Sequence, residues 1–88
     1  MAIATLAEVP GLTQEQYDAV VREEGLPAPG QIFHLAGPME GGWRVLEVWE
    51  SQEAADTFFR ERLGPALQNV GITDVQPKVF EVHNIVSA

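Results

Sequence analysis

Histidine and tyrosine are the side chains of this 88-residue chain best suited to proton transfer, and it has only two histidines and one tyrosine. His34 and Glu47 lie in consecutive apolar stretches that indicate two β-strands. A hairpin loop of two or four residues within 39–42 places His34 opposite Glu47, and Ile32 opposite Trp49. A carboxylate facing an imidazole raises its basicity, so the pair can act as a general base. The alternative is a structural cross-strand polar pair at a subunit interface.

Other side chains could complete a site around this pair. Tyr17 is a candidate catalytic residue because a buried tyrosine hydroxyl needs a hydrogen-bond partner. His83 is another, two positions after Glu81 on the predicted last strand. Candidates for binding a planar or anionic ligand are three aromatic residues, an arginine and an asparagine: Phe33, Trp49, Phe58, Arg44 and Asn84. For the aromatic residues the alternative is packing in the core or an interface, and for Arg44 it is a solvated strand end.

Hydrophobic periodicity predicts the elements that hold these residues, in the order β-α-β-β-α-β. The strands are predicted at residues 2–9, 31–38, 43–50 and 78–86. This order indicates a ferredoxin-like α+β fold, in which both helices cover one face of a four-stranded antiparallel sheet. The chain is short enough for one domain, residues 1–88, whose small core makes oligomerisation a plausible source of stability.

Local signals mark the ends of the two predicted helices. Thr13 can form a capping box with Gln16 at the start of the first helix, and Gly25 ends it. Ser51 caps the second helix, which carries an apolar stripe at helical spacing and ends at Gly71. We expect this helix to kink or split at residues 64–65, because Pro65 has no N–H group.

The alternation within the strands divides their residues between two sheet faces. One face is almost wholly apolar, and we expect the helices to pack there: Ala4, Leu6, Phe33, Leu35, Leu46, Val48, Phe80 and Val82. The opposite face is mixed and carries both tryptophans and both histidines: Ile3, Thr5, Ile32, His34, Trp43, Val45, Glu47, Trp49, Val79, Glu81, His83 and Ile85. A sheet face exposed to solvent rarely carries so much apolar surface, so we expect a second copy of the chain to bury the mixed face.

A metal site within one sheet is not expected, and a site shared across the dimer is left open by the sequence. The second and fourth strands lie at opposite edges of a ferredoxin-like sheet, so three spacings of ~4.8 Å separate His34 from His83. Ligands of one metal ion converge within a few ångströms. The chain has no cysteine, which excludes thiolate catalysis and disulfides. Its only serines, Ser51 and Ser87, stand at a helix cap and in the tail, so a serine triad is not expected either.

The charge balance restricts the partners. Thirteen acidic and five basic residues give a formal net charge of −8. Such a surface repels phosphate backbones and anionic membranes, so we expect neither nucleic acid nor membrane as a partner. The chain contains no apolar run of membrane-spanning length and no signal-peptide pattern, and a cytoplasmic location is expected.

The element order, together with the strand-to-helix junction EVWESQEAA at residues 47–55, resembles the dimeric α+β barrel superfamily. Within it, the chain is similar to the antibiotic-biosynthesis-monooxygenase-like (ABM-like) domains. The resemblance implies a homodimer whose two sheets close a barrel. It also implies a cofactor-independent monooxygenase, cyclase or isomerase acting on a small aromatic or polyketide-like molecule. The alternative is a non-catalytic dimeric module that binds a ligand or has a structural role.

The chain also departs from that pattern. Many such domains carry a histidine on the second helix, nine residues after the tryptophan of strand three, and Phe58 occupies that position here. Haem-degrading members carry an asparagine on the first strand, and residues 2–9 contain none. In these families the ligand usually lies between helices and sheet, whereas we place the His34–Glu47 pair on the opposite face. The sequence leaves open which of the two faces holds the site.

Overall fold

The computed structural model describes all 88 residues, and its elements follow the predicted order. The strands form one antiparallel sheet in the spatial order β2-β3-β1-β4, and the helices pack on one side of it, so the predicted ferredoxin-like α+β fold is confirmed. The elements are β1 Ile3–Pro10, α1 Gln14–Glu24, β2 Gln31–Met39, β3 Gly42–Trp49, α2 Gln52–Phe58, a π-helical turn Phe59–Leu63, α3 Gly64–Asn69 and β4 Lys78–Glu81.

The helix ends form where the local sequence signals place them. Thr13 and Gln16 make both hydrogen bonds of a capping box at the start of α1. Gly25 ends the helix with φ of 70°, in the left-handed region that glycine occupies without steric strain. The Ser51 hydroxyl accepts a hydrogen bond from the Ala54 N–H and caps α2. These predictions are confirmed.

The predicted interruption of the second helix takes the form of a π-helical turn. The Gly64 N–H donates to the Phe59 carbonyl five residues earlier, which widens the helix immediately before Pro65. Pro65 then lies in the first turn of α3, where a missing N–H removes no helical hydrogen bond. The proline therefore divides the helix without ending it.

The β2–β3 hairpin has the predicted register over most of its length. His34 pairs with Glu47, and a two-residue turn at Glu40 and Gly41 joins the strands. The register shifts at a bulge between Gln31 and Phe33, so Trp49 lies opposite Gln31. The prediction that Ile32 faces Trp49 is therefore wrong, because an inserted residue on one strand moves all pairs beyond it.

The expected assignment of the two sheet faces is wrong: the helices cover the mixed face. Trp49, on that face, is 1% exposed and packs against Phe58 of α2, and Val9 is 3% exposed. The apolar face has no covering element, and Phe33 and Leu35 are about half exposed there (49% and 46%). Polarity misled the prediction because the polar side chains of the covered face hydrogen-bond to one another, so burial leaves them few unpaired groups.

The last strand is shorter than expected. β4 ends at Glu81, and the Val82 N–H continues the pairing with one hydrogen bond to the Ala2 carbonyl. Residues 83–88 form no regular element and are exposed. β4 lies at the opposite edge of the sheet from β2, as predicted.

We predict that a second copy of the chain covers the open face, defined as the uncovered apolar side chains of Leu6, Phe33, Leu35, Leu46 and Phe80. A contiguous apolar surface of this kind marks an interaction site, and a self-complementary sheet face suits a two-fold dimer. Light scattering after size exclusion should give twice the 9.6 kDa of one chain. Leu35→Glu should give a monomer, because it places a charge in the interface.

The matched control is Gln68→Glu, which adds the same charge at an exposed position of α3 and should leave the dimer intact. A monomeric mass for the unmodified chain at micromolar concentration would contradict the prediction.

Candidate active site

A chain of hydrogen bonds joins three side chains from three different elements. The Tyr17 hydroxyl of α1 lies 2.7 Å from His34 Nε2 on β2. His34 Nδ1 lies 3.0 Å from Glu47 Oε2 on β3. Both ring nitrogens of the imidazole are therefore engaged, which fixes the orientation of the ring. We call Tyr17, His34 and Glu47 the relay.

Gln31 donates a second hydrogen bond to the Glu47 oxygen that faces His34. The Ala28 N–H donates to Gln31 Oε1 at 3.0 Å, so the amide NH2 group faces Glu47 Oε2 and donates to it at 2.8 Å. Because the carboxylate is the acceptor, His34 Nδ1 carries a hydrogen and donates it. In the neutral ring Nε2 then accepts from the Tyr17 hydroxyl, and in the protonated ring it donates to that hydroxyl. The relay can hold a proton without any change of geometry.

The surroundings of the relay shift its titration. The hydrogen bond to Glu47 raises the pKa of His34, burial opposes the rise, and the charges of Glu47 and Glu24 add to it. Burial raises the pKa of Tyr17 first, and the charges of Glu24, Glu47 and Asp18 raise it further. The tyrosine is therefore a neutral hydroxyl at physiological pH, and the imidazole is the group that takes up a proton.

Glu24 is a fourth ionisable residue at this site, and the sequence analysis missed it. It is 5% exposed at the end of α1, and its carboxylate makes no hydrogen bond. Burial, followed by the charge of Glu47, raises its pKa to about 7, and His34 acts in the opposite direction. A sequence signal existed: Tyr17, Val20 and Glu24 follow the i, i+3, i+7 spacing of a core-facing stripe, so a charged residue occupies an interior position.

The four ionisable side chains meet at a small inner cavity of about 30 Å³. Tyr17, Glu24, His34 and Glu47 supply its polar part, and the remaining lining residues are aliphatic side chains of the sheet, the helices and the 71–77 segment. A space of this size accommodates one or two water-sized groups. The inner cavity can therefore admit a reacting atom of a ligand but not an aromatic ring.

A larger outer cleft of about 230 Å³ adjoins the inner cavity. Trp49 and Phe58 form part of its wall, with ring centroids 4.8 Å apart. Ala7, Glu47 and Leu63 line both spaces, so Glu47 is the one relay residue that a ligand in the outer cleft would contact. An even larger surface depression of about 550 Å³ lies beside residues 28–30 and α2, and it contains no relay residue.

The structure brings some of the sequence-predicted site residues together and separates others. Trp49 and Phe58 line the outer cleft, next to the relay. Phe33 and Arg44 are exposed on the open face, because the helices cover the other side of the sheet. His83 and Asn84 follow β4, exposed and without hydrogen bonds to the protein, and the sheet order keeps them away from His34. Arg44, His83 and Asn84 are therefore not part of the relay site, whereas Phe33 lines a surface depression of about 270 Å³ together with His34 and Gln31.

The side-chain arrangement also bears on metals and membranes. No group of three or more histidine, aspartate or glutamate side chains is arranged to hold a metal ion. No helix combines the length and the apolar character that crossing a membrane requires.

Comparison of the sequence with protein-family models gives no match, and comparison with curated proteins gives none. Solved structures do match. A variant of SnoaB, a cofactor-independent oxygenase from Streptomyces nogalater, superposes with a TM-score of 0.73 at 10% identity, over 99% of this chain and 98% of that one. The chain therefore shares the fold of this protein.

Two further structures agree with this assignment of the fold. A putative antibiotic biosynthesis monooxygenase from Chloroflexus aurantiacus gives a TM-score of 0.72 at 11% identity, covering 99% of this chain and 98% of that one. A conserved protein from Methanosarcina mazei gives 0.64 at 16% identity, with 92% of each chain covered. At such identities the likeness establishes the fold and leaves the activity to the site.

We predict that Glu47→Gln lowers the pKa of His34, because it removes the carboxylate that favours the imidazolium. In the unmodified chain the folded pKa of His34 lies above the unfolded value of about 6.5. The stabilisation from the pair is therefore fully present below pH of about 6.5 and is lost as pH rises through the folded value. NMR titration of the His34 ring resonances measures the change. A His34 titration that does not move would contradict the coupling.

We also predict that Glu24→Gln removes part of the pH dependence of stability. The folded pKa of Glu24, about 7, lies above its ordinary value of 4.5, so the folded state binds more protons between these pH values. Stability must then fall as pH rises through this range. At pH 8 the glutamine variant should be more stable by roughly 1–3 kcal/mol, allowing for partial solvent screening. Urea unfolding at pH 5 and pH 8 checks this, and an equal effect at both pH values would contradict it.

Proposed function

We propose that this protein is a cofactor-independent oxygenase that acts on a small aromatic or polyketide-like molecule by general-base catalysis. The observation that carries the proposal is the relay, in which Glu47 and Tyr17 hold both nitrogens of His34 at 3.0 and 2.7 Å beside an apolar cleft. A carboxylate that is oriented and stabilised by a histidine can act as a general base toward a ligand in this cleft.

Glu47 connects the relay with the ligand. Both of its hydrogen bonds, from Gln31 and His34, end on Oε2, and none ends on Oε1. Glu47 also lines the outer cleft, where Trp49 and Phe58 offer aromatic surface to a planar ligand. A ligand in this cleft can give a proton to Oε1, while His34 stabilises the carboxylate through Oε2. Glu47 is thus the base in contact with substrate, and Tyr17 and His34 are the groups behind it.

An oxygenase without a cofactor must take every electron from its organic substrate. When a methylene carbon between aromatic rings becomes a ketone, its two C–H bonds supply the four electrons that dioxygen accepts. One oxygen atom enters the product and the other leaves as water. Two protons leave carbon and two protons arrive on oxygen, so the enzyme needs a base and an acid but no external reductant. A cyclase or isomerase would share the first proton removal and leave dioxygen unused.

The size of the inner cavity supports a second candidate, a dimeric module that binds a ligand without turnover. At about 30 Å³ it excludes an aromatic ring, and the relay side chains already satisfy one another. In that case the relay would be a structural network and the outer cleft a passive binding site.

The two candidates give different results with a panel of aromatic polyketides and quinols, without added metal or flavin. We expect dioxygen uptake with product formation. Glu47→Gln should lower kcat by about 10²–10⁴-fold. Tyr17→Phe should lower it less, because the carboxylate remains. Glu50→Gln, the same change at an exposed position three residues away, is the control and should retain full activity.

Other outcomes are equally informative. Product formation without dioxygen uptake would indicate a cyclase or isomerase. Tight binding with no product from any member of the panel would indicate the binding module and contradict the proposal.

A further inference from the structure

We propose that Glu24 is the general acid of this site, the group that delivers a proton to the developing anion of the ligand. This inference rests on the proposed function and adds to it the proton donor that the relay alone does not supply. Its basis is the placement of a second, unpartnered carboxyl group at the same cavity as the base.

The position of Glu24 disfavours its charged form in three ways. The residue is 5% exposed, and its carboxylate has no hydrogen-bond donor. It is the last residue of α1, where the helix dipole disfavours negative charge. The nearby cation forms no ion pair with the Glu24 carboxylate. Arg62 Nη1 of the π-helical turn instead donates to the backbone carbonyl oxygens of Glu24 and Gly25, at 3.1 and 3.2 Å.

The two carboxyl groups of the inner cavity have opposite environments. Glu47 receives two N–H donors on one oxygen, which stabilises a carboxylate, whereas Glu24 receives none. Two negative charges at one small, largely apolar cavity repel each other, so the group without donors is the one that keeps its proton. Pairs of carboxyl groups separated in this way divide the roles of base and acid.

The groups facing Glu24 come from each element around it: Tyr17 from α1, His34 from β2, Glu47 from β3 and Arg62 from the π-helical turn. Burial raises the pKa of Glu24 most, the charge of Glu47 adds to the rise and His34 opposes it, which gives a pKa of about 7. A donor with this pKa is substantially protonated near neutral pH and still releases its proton readily.

With Glu24 as the acid, the proton removed from the ligand and the proton returned to it balance within the site. Glu47 takes a proton from carbon, and the Glu24 carboxyl group gives its proton to the anionic oxygen of the ligand and becomes a carboxylate. The proton held by the relay, or one from solvent, restores Glu24 before the next proton transfer. The same exchange serves an isomerase, in which the proton returns to a different atom of the ligand.

The test is the pH dependence of kcat for unmodified protein and three variants, measured with the substrate found in the panel. We expect activity to fall as pH rises through about 7, because the acid must be protonated. Glu24→Gln should lower kcat by about 10²-fold and abolish this alkaline fall. Glu24→Asp should restore part of the activity together with the fall. Glu15→Gln, an exposed position on the same helix, should change neither.

A second measurement does not depend on turnover: carbon-13 NMR titration of the Glu24 carboxyl group in the folded protein. Titration near neutrality supports the role, and titration at the ordinary glutamate value overturns it. If the unmodified protein turns over and Glu24→Gln keeps both the rate and the alkaline fall, this proposal alone fails. If no variant and no unmodified protein turns over any substrate, the proposed function fails, and the acid role fails with it.

Discussion

The hydrogen-bonded imidazole of His34 is the interaction on which the rest of the structure depends. A histidine on the helix-covered face of a small sheet is costly unless both ring nitrogens have partners. Glu47 supplies one from the neighbouring strand and Tyr17 supplies the other from α1. The contact that satisfies the partly buried ring therefore also joins α1 to β2, so fold and site share the same hydrogen bonds.

This constraint explains why the alternation of polar and apolar residues did not predict which face of the sheet the helices cover. It identified correctly that His34 lies opposite Glu47, and it failed for Gln31 and Ile32, where the bulge interrupts the alternation. It could not tell which face the helices cover, because that depends on whether polar groups find partners in the interior. Gln31, Tyr17 and Thr5 provide these partners, and Tyr17 lies on a helix far from the strands in sequence. The alternation of residues along a strand contains no information about contacts with residues that are distant in sequence.

The difference between local signals and long-range contacts also explains which other predictions were correct and which were wrong. Thr13, Ser51, Gly25 and Pro65 act on backbone groups within a few residues, so the sequence reveals their effect directly. The bulge before Phe33, the early end of β4 and the burial of Glu24 result from packing between distant segments. The helical spacing of Glu24 could have predicted that it lies on the core-facing side of α1. However, a glutamate at the end of a helix is usually solvated, and only the structure shows this one to be buried.

Pro65 links the backbone to the chemistry of the site. The π-helical turn that accommodates it contains Leu63, which together with Ala7 and Glu47 borders both the inner cavity and the outer cleft. The same turn carries Arg62, which holds the end of α1 where Glu24 lies. A regular α-helix would rotate these two side chains relative to the sheet. The proline thus positions both Leu63 at the border of the two spaces and Arg62 against the end of α1, and π-helical turns in proteins are frequent at functional sites.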